Sequence, residues 1–116
     1  MLAKKFRLTT EAFPLHARQR PSHVRRSASF AVKAYPPLAA HARVGVVVGK
    51  KVDARAVVRN RIKRQAYDVF GRALPHLPVA DYVCIVQPGA QTKTKKELQD
   101  ELSAVLRVPQ SLTAKP

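Results

Sequence analysis

The chain has 116 residues, of which 22 are Lys or Arg and only 7 are Asp or Glu, and 46% are hydrophobic. That length suits one domain with one ordinary core, and that apolar fraction excludes a wholly disordered chain. A formal net charge of +15 repels itself, so a polyanionic partner is the natural counterpart, nucleic acid ahead of an anionic membrane.

The charge is unevenly placed: residues 1–64 hold 16 basic and 2 acidic side chains, residues 65–116 hold 6 and 5. The electrostatic function therefore belongs to the first 64 residues. Cys84 is the single cysteine, which excludes an internal disulfide and a Cys-cluster metal site. His16, His23, His41 and His76 show no ligand spacing. No apolar run approaches the roughly 18 residues of a membrane span. The opening MLAKKFRLTT turns basic before an apolar stretch develops, so a signal peptide is not expected and a cytoplasmic location is.

In chain order, Thr9, Thr10 and Glu11 look like a helix start, and a short helix is predicted within residues 10–20 with Pro14 in its first turn. Residues 28–35, ASFAVKAY, alternate Phe30, Val32 and Ala34 against Ala31, Lys33 and Tyr35, the period of a half-buried strand. Pro36 and Pro37 end it. Residues 43–49, RVGVVVG, place Val44, Val46 and Val48 on one face and Gly45, Val47 and Gly49 on the other, a strand whose glycine face leaves room for a close approach. Lys50, Lys51 and Val52 either extend this strand or start another, and Asp53 is a candidate N-cap for a helix beginning near Arg55.

From Arg55 to about Leu74, Val58, Ile62, Ala66, Val69 and Ala73 share one sector of a helix, with Phe70 at its edge. Asn60, Arg61, Lys63, Arg64 and Arg72 take the remaining arc and Arg59 borders the apolar stripe, giving a helix with a basic outer face. Pro75 and Pro78 close it. DYVCIVQ, residues 81–87, is a nearly continuous apolar run of the kind found in interior strands. Pro88-Gly89 turns the chain. Thr94 and Glu97 form a capping-box pattern ahead of Leu98, Leu102, Val105 and Leu106, predicting a last helix over about Lys95 to Arg107 and a loose tail over 108–116. The order α-β-β-(β)-α-β-α describes helices covering one sheet.

No catalytic constellation is visible: there is no GxSxG, no P-loop and no pair of carboxylates at active-site spacing. Cys84 sits in mid-strand, where an inert buried thiol is expected, and Glu97, Asp100 and Glu101 read as an exposed helical face. The specific signal is Ala56 to Arg64, AVVRNRIKR, preceded by Lys50-Lys51-Val52. Seven basic residues lie in that stretch with only Asp53 against them, whereas a merely solvated helix mixes signs to gain i, i+4 pairs. Arginine forks match phosphate oxygens, and the Asn60 amide can both donate and accept toward a sugar or base edge. For Arg18, Arg20, Arg25 and Arg26 a solvated loop and direct RNA contact stand equally open.

The pattern KKVxxxxVVRNRIKR over Lys50 to Arg64 resembles the signature of the protein subunit of bacterial ribonuclease P. Arg7-Leu8, Phe13, Phe30, Arg43-Val44-Gly45, Phe70, Asp81-Tyr82-Val83 and Pro88-Gly89-Ala90 occur in the family's order, so the resemblance covers most of the chain. It implies one α+β domain over residues 1–116, an α-β-β-β-α-β-α sandwich whose central four-stranded sheet is covered by helices, with a left-handed crossover. The implied role is that of a protein cofactor to a ribozyme. The RNA subunit removes the 5′ leader of precursor tRNA using Mg²⁺, and the protein binds both that RNA and the leader. Neither a tightly held cofactor of its own, an obligate protein partner nor a membrane is implied.

By the same resemblance, Lys50, Lys51, Arg55, Arg59, Asn60, Arg61, Lys63 and Arg64 would contact RNA. Arg7, Phe13, Phe30, Lys33 and Arg43 would line a cleft for the single-stranded leader, where stacking and basic groups give sequence-tolerant binding. The chain departs from the family pattern at Ala17 and Lys33, where aromatics are common, and at Tyr67, where Arg is common. These departures shift the expected leader binding from stacking toward charge. The alternatives are a structural RNA-binding protein of ribosomal type and an independent nuclease.

Overall fold

A computed structural model of the chain describes residues 4–8, 20–37 and 39–106. The helix expected within 10–20, Phe13, Ala17, Arg18 and the tail lie outside them. The described elements are β1 (His23–Arg26), β2 (Phe30–Tyr35), β3 (Arg43–Val48), α1 (Ala56–Ala73), β4 (Asp81–Val86) and α2 (Lys95–Leu106), with 3₁₀ turns at Lys4–Phe6, Leu74–His76 and Ala90–Thr92. One mixed sheet runs in the order β1-β2-β4-β3. β2 pairs antiparallel with both β1 and β4, and β3 pairs parallel with β4.

The apolar run of β4 thus takes the interior position that its composition predicts. Tyr82, Cys84 and Val86 face the two helices together with Phe30 and Val32 of β2 and Val44 and Val46 of β3. Into this layer α1 sends Val58, Ile62, Ala66, Val69, Phe70 and Ala73, and α2 sends Leu98, Leu102, Val105 and Leu106. On the opposite face, Tyr35, Val83 and Leu8 form a smaller cluster against Ile85. The period-2 alternation of the strands separates these two faces.

Two strand expectations are corrected. Lys50–Val52 is a turn: the Val52 amide donates to the Gly49 carbonyl at 3.0 Å, and the Val52 side chain is buried. The additional strand is β1, in the stretch after Arg20 where the sequence predicts no strand. All four of its residues are exposed, so no apolar alternation marks it. What makes it a strand is its partner, with His23 opposite Ala34 and Arg26 opposite Ala31. Glu101 of α2 anchors the hairpin turn, accepting hydrogen bonds from Ser27 Oγ, the Ser29 amide at 2.6 Å and Lys93 Nζ at 2.7 Å.

The free edge of β3 is covered rather than open. The Leu8 amide donates to the Val44 carbonyl at 2.9 Å, and the Val46 amide donates to the Tyr67 hydroxyl of α1 at 3.2 Å. A phenol can reach and accept there where a guanidinium, having no acceptor, could not. The strap bearing Leu8 is tied down by His41 Nε2, 2.8 Å from the Lys5 carbonyl, with the His41 ring edge-on to Phe6. α2 begins on the predicted capping box: Thr94 Oγ1 accepts from the Glu97 amide at 3.1 Å and Glu97 Oε1 from the Thr94 amide at 2.8 Å. Gly89, at φ 104°, makes the left-handed turn after β4.

Candidate nucleic-acid interface

The basic surface is built on α1. Its apolar stripe is pinned to the sheet, so the opposite arc is held facing outward on a rigid element. Asn60, Arg61 and Arg64 are exposed on that arc, Lys63 is half-buried on its flank, and Lys50 and Lys51 stand exposed in the turn before it. Among the described residues, Lys50, Lys51, Arg61, Lys63 and Arg64 make no ion pair.

Arg55 and Arg59 have different work. Asp53 is not the N-cap; that position is Arg55, with no side-chain cap of its own. The Asp53 carboxylate instead accepts the Arg55 amide at 2.8 Å and the Arg55 guanidinium at 3.1 and 3.0 Å. These bonds hold the Asp53 carboxyl at about 2, below the usual range. Arg59 Nη1 donates to the Asp53 and Ala54 carbonyls at 3.1 and 2.7 Å. The two arginines therefore shape the entry to α1, and Arg59 spends donors on backbone that an RNA phosphate would otherwise take.

Of the five residues expected in the leader cleft, the four that are described do not all come together. Phe13 lies outside the described residues. Phe30 is 1% exposed in the core beneath the helices, on the face opposite Lys33. The alternation that makes residues 30–35 a strand forbids Phe30 and Lys33 from lining one surface, so Phe30 is withdrawn from the cleft. Arg43 shares the Lys33 face, but its guanidinium is committed to the fully buried Asp81, with Nη2–Oδ2 at 2.9 Å and Nε–Oδ1 at 3.2 Å. Arg7 pairs beside Val44 at the sheet edge, half-buried, with its Nε lacking a hydrogen-bond partner.

Lys33 remains on the second face, and the pairing sets Val24 opposite it and Arg26 two residues along. Arg26 is thus a candidate that the sequence left open, because only the β1–β2 register shows which way it points. Among the described residues no group of three or more His, Cys, Asp and Glu is placed to hold a metal. Cys84 is fully buried, and burial pushes its thiol above the ordinary range. No described helix is long and apolar enough to cross a membrane.

A four-stranded mixed sheet backed by two helices, one of which displays outward cations that make no ion pair among the described residues, defines a small basic α+β protein suited to holding a phosphate-rich chain. The family model for ribonuclease P matches residues 2–109, and the chain belongs to that family. The ribonuclease P protein component of Xanthomonas oryzae pv. oryzae is 42% identical over 65 residues, 56% of this chain and 45% of that protein. The corresponding protein of Thermus scotoductus is 45% identical over 69 residues, 60% of this chain and 41% of that protein. The matched stretches thus span less than half the length of these relatives. The solved Staphylococcus aureus RNase P protein superposes with a TM-score of 0.78 at 27% identity, covering 88% of this chain and 93% of that one.

Proposed function

We propose that this protein acts as the protein component of ribonuclease P by bridging two RNAs. In this reading the outward arc of α1, with Lys50, Lys51, Asn60, Arg61, Lys63 and Arg64, holds the catalytic RNA subunit. The β1–β2 face, with Lys33 and Arg26, receives the single-stranded 5′ leader of precursor tRNA. The observation that carries the proposal is the set of five cations from Lys50 to Arg64 that make no ion pair among the described residues, two in the turn before α1 and three on the helix, whose core stripe fixes their direction.

The physical role follows from charge. Leader and RNA subunit repel each other, and divalent ions or a cationic protein can screen that repulsion. A protein carrying +15 between them substitutes for part of the Mg²⁺ needed for binding. The hydrolytic step, and the Mg²⁺ it uses, belong in this reading to the RNA subunit. Its product is tRNA with a mature 5′ end.

The test is cleavage of precursor tRNA by bacterial ribonuclease P RNA at low Mg²⁺, with and without this protein. Stimulated cleavage supports the proposal. Binding without stimulation points to a structural RNA-binding protein, and cleavage without the RNA subunit points to an independent nuclease. Lys33→Ala separates the two surfaces: it should weaken affinity for precursor tRNA more than for mature tRNA and leave RNA-subunit binding nearly unchanged. Equal losses with both tRNAs would remove Lys33 from the leader path.

A further inference from the structure

Between the outer flank of α1 and the first turn of α2 lies a groove of about 340 Å³ lined by Arg61, Arg64, Gln65, Asp68 and Lys95. We propose that this groove is a phosphate seat and that Lys95 is a further RNA-binding residue, closing on a backbone phosphate from across Arg61 and Arg64. The inference rests on the RNA-binding reading above and adds to it a residue from a different element.

Three observations carry it. First, the groove is preformed. Leu98 and Leu102 sit in the core beneath it, and Gln99 Nε2 donates to the Gln65 carbonyl at 3.3 Å, locking α2 against α1. Cations set on locked helices lose less freedom on binding than cations on a loop. Second, the groove is net positive, since Asp68 is the one carboxylate among the three cations in its lining.

Third, the two neighbouring lysines at the start of α2 differ. Lys96 Nζ is paired with Asp100 at 2.8 Å on the outside of the helix, whereas Lys95 makes no ion pair among the described residues and lines the groove. The chemistry fits a phosphodiester: two guanidinium forks on one wall and an ammonium on the other can share its oxygens. The Gln65 amide beside them can bond a ribose 2′-hydroxyl.

The experiment measures binding of the wild-type protein, Lys95→Ala, Lys96→Ala, Arg64→Ala and the Arg64→Ala/Lys95→Ala pair to bacterial ribonuclease P RNA over a series of salt concentrations. Lys95→Ala should weaken binding roughly threefold to tenfold at low salt, the scale of one ordinary hydrogen bond. It should also flatten the slope of log K against log salt by somewhat under one. Lys96→Ala removes the same charge one residue away and should stay within about twofold, with both variants melting near the wild type. The double variant should lose less than the product of the single losses, because both side chains serve one phosphate.

Equal losses from Lys95→Ala and Lys96→Ala, or a double loss equal to the product, overturn the seat. If Arg64→Ala still weakens binding, the RNA-binding reading survives that result. A wild-type protein that binds this RNA no better than an unrelated RNA of equal length overturns both.

Discussion

Arg59 and Arg61 lie two positions apart in one basic run, yet the structure gives them opposite roles. Arg59 donates to the Asp53 and Ala54 carbonyls, whereas Arg61 is exposed with no ion pair among the described residues. Arg59→Ala should therefore lower stability by about 1 kcal/mol through lost hydrogen bonds to the loop, visible as a lower melting temperature without RNA. Arg61→Ala combined with Arg64→Ala should melt near the wild type and weaken binding to the RNA subunit, whatever substrate is present. Thermal melts and RNA titrations of the same three preparations check both statements. Tyr67 carries a third residue-scale expectation. Its hydroxyl accepts the buried Val46 amide at the edge of the sheet, so Tyr67→Phe strands that donor. A loss of about 1–3 kcal/mol in denaturant unfolding should follow, with RNA affinity of the folded protein unchanged.

At the scale of elements, the β1–β2 hairpin depends on α2 through one carboxylate. Burial works to raise the Glu101 pKa, but hydrogen bonds from Lys93, Ser27 and Ser29 outweigh it and hold the group at about 2, against an ordinary 4.5. A depressed carboxyl stabilises the fold fully above its unfolded value, and that contribution drains away as pH falls from about 4.5 toward about 2. Glu101→Gln should thus lower stability near neutral pH and flatten the acid limb between those values. The loss should appear first as faster amide hydrogen exchange in Val24 to Val32, because β1 has no buried side chain of its own to hold it. An unchanged acid limb in Glu101→Gln would show that the hairpin is held by other contacts.

For the whole molecule, the charge that suits RNA works against the free protein. Sixteen basic groups crowd the first 64 residues, and their mutual repulsion is relieved by anions that settle among them. Sulfate should raise the melting temperature well beyond chloride at equal ionic strength, because an anion bound to native clusters stabilises by mass action while screening alone treats the two salts alike. Arg61→Ala/Arg64→Ala should shrink the sulfate increment, since it removes both cations from one wall of the groove between the helices. Equal responses to the two salts would count against preformed anion sites.

Much of this protein was legible in the residue order. The stripe from Val58 to Ala73, the apolar run of β4 and the Thr94–Glu97 box each carry a local period or spacing, so their elements form where read. The basic arc of α1 follows from the same period, since a stripe that packs inward obliges the intervening arginines to point out. β1 was not legible, because an exposed edge strand is defined by its partner's hydrogen bonds rather than by any pattern of its own. Nor was the division of labour among the cations: whether an arginine meets a carbonyl, a buried carboxylate or solvent is decided by what packs beside it. Arg59, Arg43 and Arg61 look alike in the sequence and differ only in those neighbours. Lys95 is the same case in reverse, an ordinary helix-start lysine until the packing of α2 on α1 sets it across a groove from Arg61 and Arg64. Local periodicity determined the two helices, the three inner-patterned strands and the outward face of α1, whereas tertiary contact alone decided β1 and which charges on that face are left without an ion pair among the described residues.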